Sequence, residues 1–443
     1  MLTAPFAGMV RTARLADEVP RVRTAIARCE ELLPRNGSHR HIRGFVPGRV
    51  ELLGKHVDYA GGRSLVCAID RGIAFAAQPR RDSVVRVTDA HTGSVRESTL
   101  HAAATAEPGD WGVYVAAVAR RIARDTGARR GVDIVFASDL PRASGLSSST
   151  ALLITAFLPL AQCNDWFRGD TLGAALRTSP IAVADYAAAV ESGRAFDAFP
   201  GDPGVGTLGG SQDHVAILCA NPGALSRFAF LPTRHLGDIA FPGGMALAVA
   251  FSGVHAPKAG HVRHAYNRAS RAVTDILAIL NANDGHTSHS LAEAVDRLGV
   301  ASIANAISNP QSLAFSPSEL LRRLKQFTIE LEVHDAAVSA LSANDLQHFA
   351  QQVRRSQRAA EDLLANQIPE TVALVRLALD NGASAASAFG AGFGGSVWAL
   401  VAEERAARFI EAWRSVYLDQ HEAVREHAEF FVARPSAAAR FVT

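Results

Sequence analysis

Cysteine is scarce and scattered in this chain: Cys29, Cys67, Cys163 and Cys219 stand far apart, and no C-x-x-C pair occurs. Cys67 and Cys219 sit among apolar or small neighbours, which suits buried thiols in a reducing compartment. A surplus of one charge is missing too. Lys and Arg total 45 against 43 Asp and Glu, and the resulting +2 gives no reason to expect nucleic acid or an anionic membrane surface as partner. The arginines are spread along the chain, with no aromatic-interleaved basic patch. No segment has the length and purity of a membrane-spanning helix. Met1–Pro20 has no apolar core of the kind a secretory leader needs, so a cytoplasmic protein is expected. Repeats and low-complexity tracts are absent beyond a general enrichment in Ala.

What is present fits a soluble globular protein, 48% hydrophobic and 20% charged. A chain of 443 residues is too long for one comfortable core, so two domains are expected. Pro and Gly punctuate Leu231–Gly244, which puts the division at 1–235 and 236–443. In the first part the patterning predicts a helix over 12–33, a strand pair within Ser64–Gln78, and a hairpin of Val84–Asp89 with Val95–Leu100. An amphipathic helix follows over Trp111–Thr126, stopped by Gly127, and an Ala-rich helix over Ile181–Ser192. The Gly/Pro-rich Phe199–Gly210 reads as loop. The second part opens with a strand, Met245–Phe251, and continues with helices over 263–284, 317–329, 345–364, 369–380 and 403–416. Strands and helices mixed in both parts make the fold class α+β.

The most informative stretch is 141–151, Pro-Arg-Ala-Ser-Gly-Leu-Ser-Ser-Ser-Thr-Ala. A strand-like run, Gly131–Phe136, precedes it and a buried-helix run, Leu152–Leu160, follows. Strand, small-residue turn and helix N-terminus together present unpaired backbone N–H groups and the positive end of a helix dipole. That arrangement can hold phosphate. The Lys of a Walker A loop is missing, so neutralising charge must come from elsewhere. The plain alternative is helix capping by Ser147–Ser149.

Two further segments bear on that choice. Val46–Gly62 packs charge between glycines as Val-Pro-Gly-Arg-Val-Glu-Leu-Leu-Gly-Lys-His-Val-Asp-Tyr-Ala-Gly-Gly. Ala388–Ser396, Ala-Phe-Gly-Ala-Gly-Phe-Gly-Gly-Ser, leads into the strand-like Val397–Val401. In order and spacing the three segments resemble the signature motifs of the GHMP kinases, and the first resembles the galactokinase branch. The resemblance spans Pro47 to Val401, most of the chain. It implies a two-domain GHMP kinase fold with the active site in the cleft between domains. It also implies ATP-dependent phosphorylation of a monosaccharide at the anomeric (C1) hydroxyl, with Mg²⁺. The partners so implied are the sugar and ATP, with no nucleic acid and no membrane, in a monomer or weak homodimer.

The resemblance assigns roles residue by residue. Ser144, Gly145, Leu146, Ser147, Ser148, Ser149 and Thr150 would cradle the ATP phosphates. Ser149 and Glu191 would ligate Mg²⁺, which keeps several waters and needs few protein ligands. Asp213, in Thr207-Leu208-Gly209-Gly210-Ser211-Gln212-Asp213-His214, matches the galactokinase catalytic carboxylate, with His214 in place of Gln. It would accept the sugar proton, kept ionised by Arg49, which also stabilises charge on the transferred phosphoryl. Asp58, the backbone at Gly210, and Tyr266 would read sugar hydroxyls, although Arg268 stands one residue early for the matching Y-x-x-R. His56 either binds ligand or braces the loop. Gly390, Gly392, Gly394 and Gly395 would cross close beneath the phosphate loop.

Lys55 departs from the pattern, because galactokinases carry Glu there to accept a hydrogen bond from the C6 hydroxyl. Lys is a donor only, so facing the sugar it would favour an acceptor or anion, as in a galacturonate-type uronic acid. Turned outward it would pair with a carboxylate such as Glu51, itself in place of Asn, and leave galactose as substrate. Phe199–Gly206 looks like an insertion able to form a lid or a specificity wall. A non-catalytic sugar sensor is the reading from another class, and the presence of Asp213, Arg49 and Ser149 speaks against it. Another GHMP branch acting on an alcohol such as mevalonate is disfavoured by the sugar-type Asp58–Gly62.

Overall fold

The computed structural model describes residues 10–34, 41–101, 109–165, 172–255, 260–283, 286–308 and 314–443. Ser64–Gln78, expected as a strand pair, is one continuous strand, and the reason is its partners. In chain order the first strands are β1 (Arg11–Ala13), β2 (Ile42–Leu53), β3 (Arg63–Pro79), β4 (Val84–Asp89), β5 (Val95–Thr99), β6 (Val132–Ser138), β7 (Ala224–Ala229) and β8 (Arg234–Ala240). On one edge β3 pairs antiparallel with β2 over most of its length. On the other it meets β7 at Arg63–Val66 and β6 at Ile73–Pro79. Three partners keep all 17 residues extended. The hairpin β4–β5 forms as expected and docks parallel onto β6.

A second, fully antiparallel sheet has the order β10 (Ala385–Phe389), β11 (Ser396–Ala402), β9 (Met245–Phe251), β12 (Glu429–Ala433). The last strand, β13 (Arg440–Val442), returns to the first sheet between β1 and β2. The division expected at 235/236 therefore falls inside β8, and the chain's end belongs with the first sheet.

Helices α1 (Pro20–Leu32), α2 (Gly112–Thr126), α3 (Ser148–Cys163), α4 (Leu172–Leu176), α5 (Pro180–Ser192) and α6 (Gln212–Cys219) accompany the first sheet. The helix expected over 12–33 begins only at Pro20, a residue suited to the first helical turn, while Arg11–Ala13 pair with β13. In α3 the side chains of Leu153, Ile154, Phe157, Leu158 and Leu160 are all buried, so the helix is wrapped by core on every side. That fixes its N-terminus, where the phosphate-loop candidate ends.

The second half adds α7 (Gly260–Asn283), α8 (Leu291–Leu298), α9 (Val300–Ser308), α10 (Pro317–Ser342), α11 (Leu346–Ala359), α12 (Pro369–Asp380) and α13 (Ala406–Gln420). A reciprocal cap between Ser316 and Glu319 starts α10, which runs well past the expected end at 329. Patterning missed α8 and α9. No helix among the described residues is long and apolar enough to cross a membrane.

The segment ahead of the catalytic loop, expected as a possible lid, is tied down. Arg120 bonds Asp202 at 3.0 Å, Arg121 the Arg194 carbonyl at 2.9 Å, and Arg124 the Gly201 carbonyl at 3.0 Å. Behind them Arg121 and Asp125, both buried, pair at 2.5 Å, and the Tyr186 hydroxyl donates to Asp125. Removing one partner of a buried pair strands the other charge. Asp125→Ala should cost about 3–5 kcal/mol, read from the urea midpoint, and an unchanged midpoint would refute that role.

Candidate active site

A cavity of about 620 Å³ has the phosphate-loop segment, the Arg49–Asp58 segment and the catalytic-loop segment in its wall. At its centre Arg49 on β2 meets Asp213 in the first turn of α6. Arg49 Nε and Nη2 stand 2.8 and 2.7 Å from Asp213 Oδ1. Arg49 also donates to the Gly145 carbonyl, and the Ser147 hydroxyl donates to Asp213 Oδ2. Ser147 is at the start of α3 with φ +59° and makes no capping bond. The capping alternative fails there, because that hydroxyl is spent on Asp213.

Of the seven phosphate-loop residues, Gly145, Ser147, Ser148, Ser149 and Thr150 line the cavity. Ser144 and Leu146 are buried and absent from its lining, and the Ser144 hydroxyl caps the Pro141 carbonyl. The glycine motif lies against this loop. A Cβ on Gly390 would stand 2.9 Å from the Gly145 carbonyl oxygen, and one on Gly395 3.1 Å from that of Ser144. Ser396 donates its hydroxyl to the same Ser144 carbonyl at 2.7 Å. Gly390, Gly392 and Gly394 line the cavity, whereas Gly395 does not.

Glu191, at the end of α5, lines the cavity, as Ser149 does. Its Oε2 accepts the Thr150 hydroxyl at 2.9 Å and stands 3.1 Å from His214 Nε2. Among the described residues no cluster of three or more His, Cys, Asp or Glu could hold a metal alone. A hydroxyl and a carboxylate are hard oxygen donors, and the pair fits a Mg²⁺ held mostly by phosphate oxygens and water.

The cavity wall around Asp58 is polar. Asp58 Oδ1 accepts the Tyr59 N–H at 2.9 Å and Oδ2 the Gln212 N–H at 3.3 Å. Burial raises the Asp58 carboxyl above its ordinary range, and the charge of Asp213 adds to this. Gly210 must be glycine, since a Cβ would stand 2.5 Å from Asp58 Oδ2. Tyr266 on α7 lines the cavity over His56, with ring centroids 5.1 Å apart. Arg268 turns away to Glu319 at 2.6 Å. His56 Nε2 lies 3.1 Å from the Ala391 carbonyl and Nδ1 2.9 Å from the Tyr59 hydroxyl. A carbonyl only accepts, so His56 carries its proton on Nε2 and accepts from Tyr59. Burial first, then the Arg323 guanidinium, lowers it to about 4, which keeps it neutral. Both its nitrogens are engaged by protein, and the ring also lines the cavity.

Lys55 is the main correction. It is buried and absent from the cavity lining, and its ammonium donates to Ser356 on α11 at 2.9 Å. Ser356 in turn donates to Glu330 on α10 at 2.6 Å, and Glu330 Oε2 accepts the Gly54 and Lys55 N–H groups. Gln326 donates to the Lys55 carbonyl at 3.0 Å and Arg323 to the His56 carbonyl at 2.5 Å. Three α10 side chains thus hold three consecutive backbone units of the sugar loop. Sequence reading missed them, although 323, 326 and 330 share one helix face as a polar stripe among apolar neighbours. It also missed Gln212, and the apolar part of the cavity lining, which includes Trp111, Tyr114, Phe136 and Leu140.

Three family models match in chain order: the galactokinase galactose-binding signature over 36–79, the GHMP kinases N terminal domain over 113–200, and the GHMP kinases C terminal model over 337–419. Both GHMP kinase models and the galactokinase signature thus fall on this one chain. A galactokinase from Chloroflexus aggregans is 29% identical over 378 residues, covering 84% of this chain and 86% of that protein. One from Roseiflexus is 38% identical over 118 residues, 26% of this chain and 29% of that one. The fold is similar to that of Lactococcus lactis galactokinase complexed with galactose, with a TM-score of 0.74 at 21% identity, covering 93% of this chain and 98% of that one. Methanococcus jannaschii mevalonate kinase, at 16% identity, gives 0.56 over 91% and 100%.

Gly390, at φ +81°, tests the packing of the glycine motif against the phosphate loop. Gly390→Ala should cost about 1–2 kcal/mol of stability for the left-handed backbone alone. It should also raise the KM for ATP more than that for the acceptor; an unchanged ATP KM would separate the motif from the phosphate loop.

Proposed function

We propose that this chain is a GHMP kinase and transfers the γ-phosphoryl of ATP to the anomeric (C1) hydroxyl of a galactose-type monosaccharide. The observation that carries the reading is the Arg49–Asp213 pair, bonded to the Gly145 carbonyl on one side and neighbouring the Asp58 pocket on the other. Phosphoryl transfer asks chiefly for positioning and charge stabilisation, and this pair stands between the two places where donor and acceptor would sit.

In this reading the N–H groups at the start of α3 and the hydroxyls of Ser148 and Ser149 hold phosphate oxygens, those of Ser147 and Thr150 being engaged by Asp213 and Glu191, and the apolar wall around Trp111 takes the base. Ser149 and Glu191 would hold Mg²⁺, which neutralises phosphate charge when bound. Asp58 accepts hydrogen bonds from neighbouring sugar hydroxyls, with Gly210 and Tyr266 closing the pocket. Asp213 accepts the proton of the attacking hydroxyl, and Arg49 stabilises the equatorial oxygens of the transferring group. The similarity to curated galactokinases over most of both chains supports a galactose-type acceptor. The uronic-acid alternative rested on Lys55 at the sugar, and its ammonium on Ser356 leaves that alternative without a contact.

ADP release with ATP and Mg²⁺, measured against galactose, galacturonate, glucuronate, arabinose, fucose and N-acetylgalactosamine, tests the substrate. Galactose should lead; preferential turnover of a uronic acid would refute the assignment, and sugar binding without any turnover would establish a sensor. Asp213→Ala should lower kcat by about 10²–10⁴-fold while sugar binding persists. Unchanged turnover would sink the catalytic assignment.

A further inference from the structure

Among the described residues of the cavity wall, Glu51 and Gln212 each hold a polar oxygen with no hydrogen-bond partner. Glu51 and Gln212 are both buried, and the Gln212 amide donates to Glu51 Oε2 at 2.7 Å. Glu51 Oε1 and Gln212 Oε1 have no hydrogen bond. A buried carboxylate so poorly satisfied needs compensating charge or a proton. Four groups face it. Arg49 from β2 and Lys55 from the following turn favour its charged form, as does the Gln212 bond from α6, while Glu330 from α10 opposes it. Burial outweighs all of them and pushes the carboxyl up to about 7, so Glu51 changes charge close to neutrality.

Glu51 also reaches the reacting pair by two structural routes. Side chains alternate along a strand, so Arg49 and Glu51 point to the same face of β2, and the register is regular between them. Gln212 directly precedes Asp213 in α6, and its N–H donates to Asp58. A charge on Glu51 therefore competes with Asp213 for the Arg49 guanidinium. A change in the Glu51–Gln212 bond moves the turn that carries Asp213.

We propose that Glu51 is a positioning residue for the Arg49–Asp213 pair, with Lys55 as its buried charge partner rather than a reader of substrate. This deepens, and rests on, the kinase reading above. Three readings of the pH dependence of kcat test it. Wild type should show an inflection near neutrality. Glu51→Gln, which mimics the protonated carboxyl, should hold kcat near the wild-type acid-limb value and lose that inflection. Lys55→Met should move it upward by about one pH unit, because a favourable charge is gone, with the order of sugars in the panel unaltered. Titration of the nucleotide itself would persist in all three proteins. The same inflection in Glu51→Gln, or none in wild type, would overturn the proposal, as would a changed sugar order in Lys55→Met.

A second readout does not depend on turnover. The side-chain Nε–H resonance of Arg49 should shift with pH near neutrality in wild type and stay fixed in Glu51→Gln. If no sugar in the panel is phosphorylated, the kinase reading fails while this resonance still decides the role of Glu51. A flat resonance in wild type overturns the proposal.

Discussion

The ion pair between Arg49 and Asp213 is the contact on which the site depends, because it joins segments 164 residues apart. Arg49 is set by strand pairing within β2, and Asp213 by the start of a helix whose remaining face is apolar. The guanidinium spends its remaining reach on the Gly145 carbonyl, and Ser147 spends its hydroxyl on Asp213. Strand, phosphate loop and catalytic turn are thereby held as one unit. The glycines at 390 and 395 then press against the loop from below, where a side chain would collide with its carbonyls. A buried pair gains little over a well-packed apolar one, yet breaking it strands a charge. Its value here lies in geometry rather than in stability.

A second constraint comes from α10. Arg323, Gln326 and Glu330 bond the backbone of Gly54, Lys55 and His56, and the Lys55 ammonium reaches the same helix layer through Ser356. His56, at φ +57°, stands in a backbone region that such a residue seldom occupies, and these bonds hold it there. From that turn His56 reaches Ala391, so the sugar loop and the glycine motif are linked as well. The helical layer thus shapes the pocket without lining it.

Much of this was legible in the sequence, and the limits were physical. Short motifs gave the phosphate loop, Asp58 and the glycine turn, because their chemistry is local and tolerates few residue types. Strand β3 was misread as a pair, since a strand's length is set by its partners, and three of them lie elsewhere in the chain. The division at 235/236 missed β8, and the return of β13 depends on pairing across more than 380 residues, from Phe45 to Arg440. α8 and α9 are short, with no motif to mark them. Gly131–Phe136, Gly127 and the hairpin came out as read, each being fixed by its own few residues.

Lys55 shows most clearly what one position read alone leaves out. On the sugar loop a cation in place of a carboxylate suggests an anionic substrate, and the argument holds only if the side chain faces the cavity. Its direction is decided by Ser356 and Glu330, some 300 residues away, which offer it an oxygen and a nearby negative charge. With Arg49 and Glu51 these residues form one connected set of charges, which Arg49 joins to Asp213. Interiors tolerate such a set when it is near neutral and resist the removal of any single member. A change at position 51 or 55 is therefore a change in one shared balance. The substrate preference of such a site follows from the whole charge set, read together with the direction each side chain takes.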